Sequence, residues 1–142
     1  MADGTSGGRE NWGRWAFAAL FLVGGVGHFA ATDFYLKIMP PYLLHPRALV
    51  LLSGAAEIGL GALLLVPRTT RPAAWGLIAL LIAVFPANLY MYQNSGRFSV
   101  PPLALLIRLP LQGLLIWWAY RYTRARPAAS VRGESVREAD AG

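Results

Sequence analysis

Four long apolar runs dominate the sequence, and short polar or proline-containing segments separate them. The runs cover residues 14–31, 47–66, 72–92 and 102–122. Each is close to the ~20 residues that an α-helix needs to cross the hydrocarbon core of a bilayer. None of them alternates polar and apolar residues, as the strands of a membrane barrel do. The pattern therefore predicts an all-α fold, an integral membrane four-helix bundle within residues 13–124.

The longest connection, residues 32–46, joins the first two runs. Its first half is amphipathic, with Asp33 as a candidate N-cap, and the proline pair at 40–41 would end a helix there. Such a segment is typical of a short helix that lies in the membrane interface. The two ends of the chain, residues 1–12 and 125–142, are rich in polar, charged or small residues, and we expect both to be disordered.

The composition agrees with a membrane protein and excludes several other classes. Of the 142 residues, 56% are hydrophobic and 14% are charged, whereas about 25% are charged in a typical soluble domain. The net charge is +6, but the basic residues flank the apolar runs instead of forming one basic face, so no nucleic-acid partner is expected. The chain has no cysteine, which excludes disulfides and thiolate-bound metals within it.

The basic residues near the run ends also predict an orientation, because Lys and Arg mark the cytoplasmic side. We expect a multi-pass protein of a bacterial inner (cytoplasmic) membrane with both termini cytoplasmic. A cleaved signal peptide is the alternative for the first run, but Asp3 and Glu10 precede it. The predicted cytoplasmic side has Arg9, Arg14, Arg68, Arg71, Arg121, Arg124 and Arg126, and the other side has Lys37, Arg47 and Arg97.

Aromatic residues fall near both ends of the runs, as they do in the interface belts of membrane proteins. The tryptophans lie on the predicted cytoplasmic side and several tyrosines on the other. These residues are Trp12, Trp15, Trp75, Trp117 and Trp118 inside, and Tyr35, Tyr42, Tyr90 and Tyr92 outside.

Every run contains at least one polar residue that lipid would reject. The five residues are His28, Glu57, Asn88, Arg108 and Gln112. A charge at the bilayer centre costs about 2.5–3.5 kcal/mol on insertion scales, so these side chains should face the interior and pair. A rise of ~1.5 Å per residue puts them in the outer or middle part of the membrane, with Glu57 and Arg108 only ~6 Å apart along its normal. We therefore expect Arg108 to face Glu57 inside the bundle.

The backbone near the polar residues favours a cavity there. Pro86 and Pro110 lie inside predicted helices, where each deletes a hydrogen bond and kinks the helix. Glycines precede His28 and surround Glu57, and small residues either bring helices together or leave room for a ligand.

Each polar residue also has a purely structural interpretation. Glu57 and Arg108 could form an ion pair that only fixes helix register, and His28 could be an ordinary helix-end histidine. Asn88 could cap backbone groups that Pro86 frees, while Gln112 could make an interhelical hydrogen bond. With two histidines and no cysteine, no metal site is expected. The catalytic residues stay unknown, because no nucleophile–base pair or nucleotide-binding motif is present.

Several short motifs resemble the DoxX-like family of small bacterial membrane proteins. The similar segments are GHF at 27–29, SGAAE at 53–57, FPAN at 85–88 and IRLP at 107–110, within a resemblance that spans about 14–124. The resemblance implies four membrane-spanning helices. The family takes its name from subunits of a thiosulfate:quinone oxidoreductase, and distant relatives assist the assembly of other membrane proteins. It has no agreed catalytic residues, so the motif positions carried over are His28, Glu57, Asn88, Arg108 and Pro110.

Three functions are compatible with these features. The first is a non-enzymatic protein whose polar cluster, in the outer half of the bundle, binds a small hydrophobic molecule, a membrane-protein partner or a second copy in a homo-oligomer. The second is a quinone-interacting subunit of a membrane oxidoreductase, with the quinone as its non-covalent cofactor and Glu57 exchanging a proton. The third is a small proton-linked transporter, although no inverted repeat is visible. All three place the protein in contact with membrane lipid.

Overall fold

The computed structural model describes residues 6–124, and that part of the chain is helical without any strand. An all-α fold is therefore confirmed for these residues, while the predicted disordered tail at 125–142 lies outside them. The helices are α1 (Ser6–Ala30), α2 (Thr32–Lys37), α3 (Pro46–Leu65), α4 (Thr70–Gln93) and α5 (Pro102–Thr123), with a 3₁₀ turn at Ser95–Arg97 before α5.

Three of these helices, α3, α4 and α5, are long and apolar enough to cross a membrane. They expose large hydrophobic side chains such as Leu52, Ile82 and Leu103, which lipid solvates and water does not. The chain is accordingly compatible with a membrane protein in contact with lipid. Helix α1 is as long but less apolar, because it includes Arg14, His28 and a polar first part.

Two boundaries differ from the sequence prediction. Helix α1 begins at Ser6, earlier than the apolar run at residue 14, and residues 1–5 of the predicted disordered segment lie outside the described residues. Helix α2 confirms a short helix after the first run, but Ala31 occupies its N-cap position and no side chain caps it. Asp33 lies in the first turn instead, where its charge still favours the helix dipole. The hydroxyl of Thr32 donates to the His28 carbonyl at 2.8 Å and ties α2 to the end of α1.

The helices pack side by side in the order α1, α3, α4, α5. The first and last helices of this row, α1 and α5, contact each other at one end of the bundle. There the ring of Phe17 lies 4.8 Å from that of Trp118 and 5.8 Å from that of Tyr122. The Arg71 side chain donates to the Thr123 carbonyl at 2.9 Å. The start of α1 and the end of α5 thus lie at one end of the bundle, which we call the termini end.

Two apolar clusters fill the bundle. The larger lies towards the termini end and includes Phe17, Leu64 and Leu77, all fully buried. The smaller lies at the opposite end, the α2 end, where Ile38 packs against Met91 and Leu105. The space between the two clusters is where the polar residues of the sequence come together.

Helices α1 and α3 cross at two buried glycines. A Cβ atom placed on Gly54 would lie 2.6 Å from the His28 Cβ and 2.9 Å from the carbonyl oxygen of Gly25. A Cβ on Gly25 would lie 2.7 Å from the carbonyl oxygen of Gly54. In both cases the nearest atoms include a backbone carbonyl, which cannot move aside as a flexible side chain can. A side chain at Gly25 or Gly54 would therefore force the two helices apart. Glycine is used here for close backbone approach, as small residues are in membrane helix pairs.

We expect Gly54→Ala to destabilise the protein by about 1–3 kcal/mol, the usual cost of overpacking. The matched control is Gly59→Ala in the same helix, where an added Cβ meets nothing within 4 Å. That control should be neutral or stabilising by up to about 1 kcal/mol, since alanine is the better helix former. Thermal unfolding of both variants in one detergent measures the difference. Equal stability of the two would contradict the close crossing.

Candidate functional site

A cavity of about 470 Å³ lies inside the bundle between the two apolar clusters. All four long helices line it, together with α2 and the segment that follows α2. Most of its wall is apolar, and its volume falls in the ~300–1,000 Å³ range of small-molecule sites. Its polar lining residues are His28, Tyr35, Ser53, Glu57, Asn88, Arg108 and Gln112.

The cavity is open on one side, between α1 and α5. Leu20 of α1 is 49% exposed, and Leu111 and Leu114 of α5 are 45% and 52% exposed, although all three line the cavity. Residues that are both lining and exposed form its rim. The rings of Phe17 and Trp118, whose centroids lie 4.8 Å apart with planes inclined by 44°, join the same two helices on the termini side of this opening. The opening therefore faces sideways, along the flank of the bundle.

His28 and Glu57 form the polar centre of the cavity. His28 Nε2 lies 3.4 Å from a carboxylate oxygen of Glu57, and both side chains are largely buried. On the other side of the ring, Nδ1 lies 3.0 Å from the carbonyl oxygen of Val50. A carbonyl can only accept, so Nδ1 carries the proton and Nε2 is the atom turned to Glu57. Gly24 makes room for this carboxylate, since a Cβ there would lie 2.8 Å from its second oxygen.

The expected direct pairing of Glu57 with Arg108 is wrong. Both residues line the cavity, but within residues 6–124 the side chain that contacts the Glu57 carboxylate is His28. The close crossing of α1 and α3 brings these two side chains together. Arg108 lies on α5, the helix at the other edge of the row, where one of its nitrogens lies 3.9 Å from the sulfur of Met91. The sequence predicted similar depths for the two residues along the membrane normal, but the order of the helices separates their side chains.

Gln112 makes the interhelical hydrogen bonds that the sequence suggested. It is 4% exposed and accepts from the side-chain amide of Asn88 at 3.1 Å, while its own amide donates to the Leu81 carbonyl. Asn88 is therefore held by α5 and makes no hydrogen bond to the backbone near Pro86. The amide pair joins α4 to α5 on the wall of the cavity.

Pro86 and Pro110 lie inside α4 and α5, and both helices continue through them. Each residue stands next to the polar side chains in sequence: Pro86 precedes Asn88, and Pro110 lies between Arg108 and Gln112. Each proline lacks a backbone N–H donor. The two helices that lose a hydrogen bond in this way, α4 and α5, are the ones that the Asn88–Gln112 pair joins.

Tyr35 belongs to the site, although the sequence placed it in an interface belt. Its ring stacks on that of His28 with centroids 3.9 Å apart and planes inclined by 23°. Burial raises the pKa of the Tyr35 phenol, the Glu57 charge raises it further, and the Arg108 charge lowers it. Both charges therefore act on this hydroxyl. The one sequence feature that could have indicated a role for Tyr35 in the site is its position on the amphipathic segment after α1.

No three His, Asp or Glu side chains of the described residues come close enough to hold a metal ion. The two side chains of the cavity that could act as metal ligands, the His28 imidazole and the Glu57 carboxylate, contact each other.

One family model, described as a domain of unknown function (DUF8561), matches residues 17–123. The chain belongs to this family. The match includes every residue that lines the cavity, so the cavity is a part of the DUF8561 domain. No curated protein matches the chain. No solved structure matches it either.

We expect a double-mutant cycle to find coupling between His28 and Glu57. The single changes His28→Gln and Glu57→Gln and their combination should give an interaction energy of about 1 kcal/mol or more, because the two groups are in contact and largely buried. Unfolding in detergent provides the measurement. The comparison cycle, Glu57→Gln with Arg108→Gln, should give a smaller value. A larger coupling in the second cycle would contradict the geometry.

We also expect the Tyr35 phenol to ionise above the ordinary tyrosine pKa of about 10. A raised pKa in the folded state favours the neutral form, so this contribution to stability is present at lower pH and is lost as the pH rises through the folded pKa. Ultraviolet difference titration of the wild type against Tyr35→Phe isolates this one phenol. Glu57→Gln should lower its midpoint and Arg108→Gln should raise it, and shifts of the opposite sign would refute the assignment.

Proposed function

We propose that this DUF8561 protein is a membrane-spanning bundle that binds a small hydrophobic molecule with a polar head. The observation that carries the proposal is the cavity itself, which is apolar over most of its wall, polar towards the α2 end and open along the flank of the bundle. A molecule dissolved in the bilayer would enter between α1 and α5 without crossing water. Its apolar part would lie against leucine and aromatic side chains, and its head would reach the polar cluster.

In this proposal α1 is the fourth span and α2 lies in the membrane interface. The length of α1 and its packing against α3 support a transmembrane position, and its buried polar residue His28 is paired, as membrane interiors require. The termini end has exposed tryptophans and arginines, with Arg121 5.6 Å from the Trp117 ring. Such a belt supports placement of the termini on the cytoplasmic side of an inner membrane. The same topology is implied by the resemblance to the DoxX-like family.

Binding accounts for the polar cluster better than catalysis does. Gln112 and Asn88 bond to each other, and His28 bonds to a backbone carbonyl, so these groups are held in fixed positions. Fixed polar groups at one end of an apolar cavity orient a ligand and select its head. Ser53 lines the cavity, but among the described residues no hydrogen bond joins its hydroxyl to His28 or Glu57, as activation of a nucleophile by a general base would require.

A quinone is the second candidate ligand. The stacked rings of His28 and Tyr35 form one wall of the cavity, against which a flat ring could lie. The Arg108 and Tyr35 side chains could donate to its carbonyl oxygens. A quinone would make the protein a subunit of a membrane oxidoreductase, in line with the namesake of the DoxX-like family.

We expect Ala87→Phe to abolish binding, because Ala87 lines the cavity and a phenyl ring there would occupy part of its volume. The matched control is Ala83→Phe, one turn earlier on α4, at an exposed position outside the cavity lining. Each protein is purified in a mild detergent and analysed by native mass spectrometry and extraction for small molecules that remain bound.

The expected result is one molecule bound per chain in the wild type and in Ala83→Phe, and at least about tenfold less in Ala87→Phe. The mass of the molecule separates a quinone from other ligands. Equal retention by Ala87→Phe would contradict binding in the cavity. A wild type that retains only a partner protein, with an empty cavity, would overturn the proposal in favour of an assembly role.

A further inference from the structure

Among the described residues, Arg108 is the one lysine or arginine that lines the cavity, and no carboxylate forms an ion pair with it. Among the described residues its guanidinium donates to the sulfur of Met91 at 3.9 Å, and a thioether sulfur is a weak acceptor. The guanidinium has five N–H donors and stays protonated. A cation at this depth of an apolar helix is expensive unless it is paired. Nothing within residues 6–124 supplies that pair, so a bound group is the natural source of it.

Glu57, the one acidic residue that lines the cavity within the described part of the chain, already contacts His28. The Val50 carbonyl holds the proton of His28 on Nδ1, so Nε2 has either a lone pair or a second proton. Nε2 faces the Glu57 carboxylate at 3.4 Å. The carboxylate is thus directed at His28, and within residues 6–124 it forms no ion pair with Arg108.

The remaining polar groups of the lining do not offset Arg108. Asn88 and Gln112 are neutral and bond to each other, and Ser53 is neutral. The Tyr35 hydroxyl accepts or donates but has no negative charge at neutral pH, since burial raises its pKa. Among the described residues, no carboxylate of the lining therefore pairs with the Arg108 guanidinium. The polar end of the cavity is thus complementary to an anion.

We propose that the ligand is a single-chain amphiphile with an anionic headgroup, a carboxylate or a phosphate monoester, which Arg108 binds at the rim of the cavity. This inference rests on the proposed function. The planar guanidinium matches two oxygens of either group in a bidentate contact. The Tyr35 hydroxyl provides a further donor, since Tyr35 lines the same cavity. The chain of the amphiphile then lies along the apolar wall towards Trp118.

The position of Arg108 suits a head that arrives from the bilayer. The residue is exposed even though it lines the cavity, and it lies on α5 one turn from Leu111, which forms part of the rim. An amphiphile that enters sideways between α1 and α5 would therefore meet the guanidinium as its head passes the rim. Removal of the charge should weaken binding of anionic heads and leave neutral heads unaffected.

The test uses matched photoreactive probes with the same diazirine-bearing dodecyl chain and three heads: carboxylate, phosphate and alcohol. The full chain is reconstituted in phosphatidylcholine nanodiscs with each probe at the same fraction of the lipid. Illumination and intact mass spectrometry give the labelled fraction, and peptide analysis gives the labelled residues. Labelling of Ala87→Phe, whose cavity is partly filled, measures the background that does not depend on the cavity. Arg97→Gln removes an arginine outside the lining and is the matched control for the loss of charge.

We expect the two anionic probes to label the wild type and Arg97→Gln at least about fivefold more than the alcohol, at cavity-lining peptides. Arg108→Gln should reduce this ratio to near one, and Arg108→Lys, which keeps the charge, should retain most of it. The stronger of the two anions identifies the head as carboxylate or phosphate, and either result supports the inference. Thermal unfolding of each variant shows that it is folded.

Two results would overturn the inference while leaving the proposed function intact. One is equal labelling by the alcohol and the anions that Ala87→Phe abolishes, since the cavity would then bind without regard to charge. The other is an anion preference that survives Arg108→Gln. Labelling that is the same in the wild type and Ala87→Phe for all probes would instead contradict the proposed function, and the inference with it.

Discussion

The close crossing of α1 and α3 is the constraint on which the rest of the bundle depends. Gly25 and Gly54 leave so little space that a side chain on either would meet the backbone of the other helix. This contact brings the His28 ring against α3, where it reaches the Val50 carbonyl and the Glu57 carboxylate. The contact between His28 and Glu57, the stacking of Tyr35 and the room that Gly24 leaves for Glu57 all follow from this crossing.

The bundle is closed at one end and open along one flank because of the residues at its two edges. Phe17 packs against Trp118 near the termini end, and large aromatic side chains bridge α1 and α5 there even though their backbones lie apart. Further along, the facing positions hold Leu20, Leu111 and Leu114, which form a rim instead of a contact. The cavity is the consequence of a row of helices whose edges meet at only one end.

Much of the helical organisation could be predicted from the sequence, because membrane-length apolar runs and their breaks reflect local physics. The starts of α3 and α5 at Pro46 and Pro102 lie within a residue of the predicted boundaries, since proline favours the first helical turn. The polar residues were also identified as members of one cluster, because an apolar phase leaves few places for them. The early start of α1 at Ser6 was missed because its first part is polar and glycine-rich.

The sequence by itself determined which residues are apolar enough to form long helices, which polar residues must be buried, and the lack of cysteine chemistry. The tertiary structure alone decided the partners. Depth along a helix axis suggested Glu57 with Arg108, but the order of the helices places His28 beside Glu57 and leaves Arg108 at the opposite edge. Whether two side chains pair depends on their distance along the helix axes and on their distance across the bundle. A single sequence gives an estimate of the distance along the axes, but the distance across the bundle depends on how the helices pack.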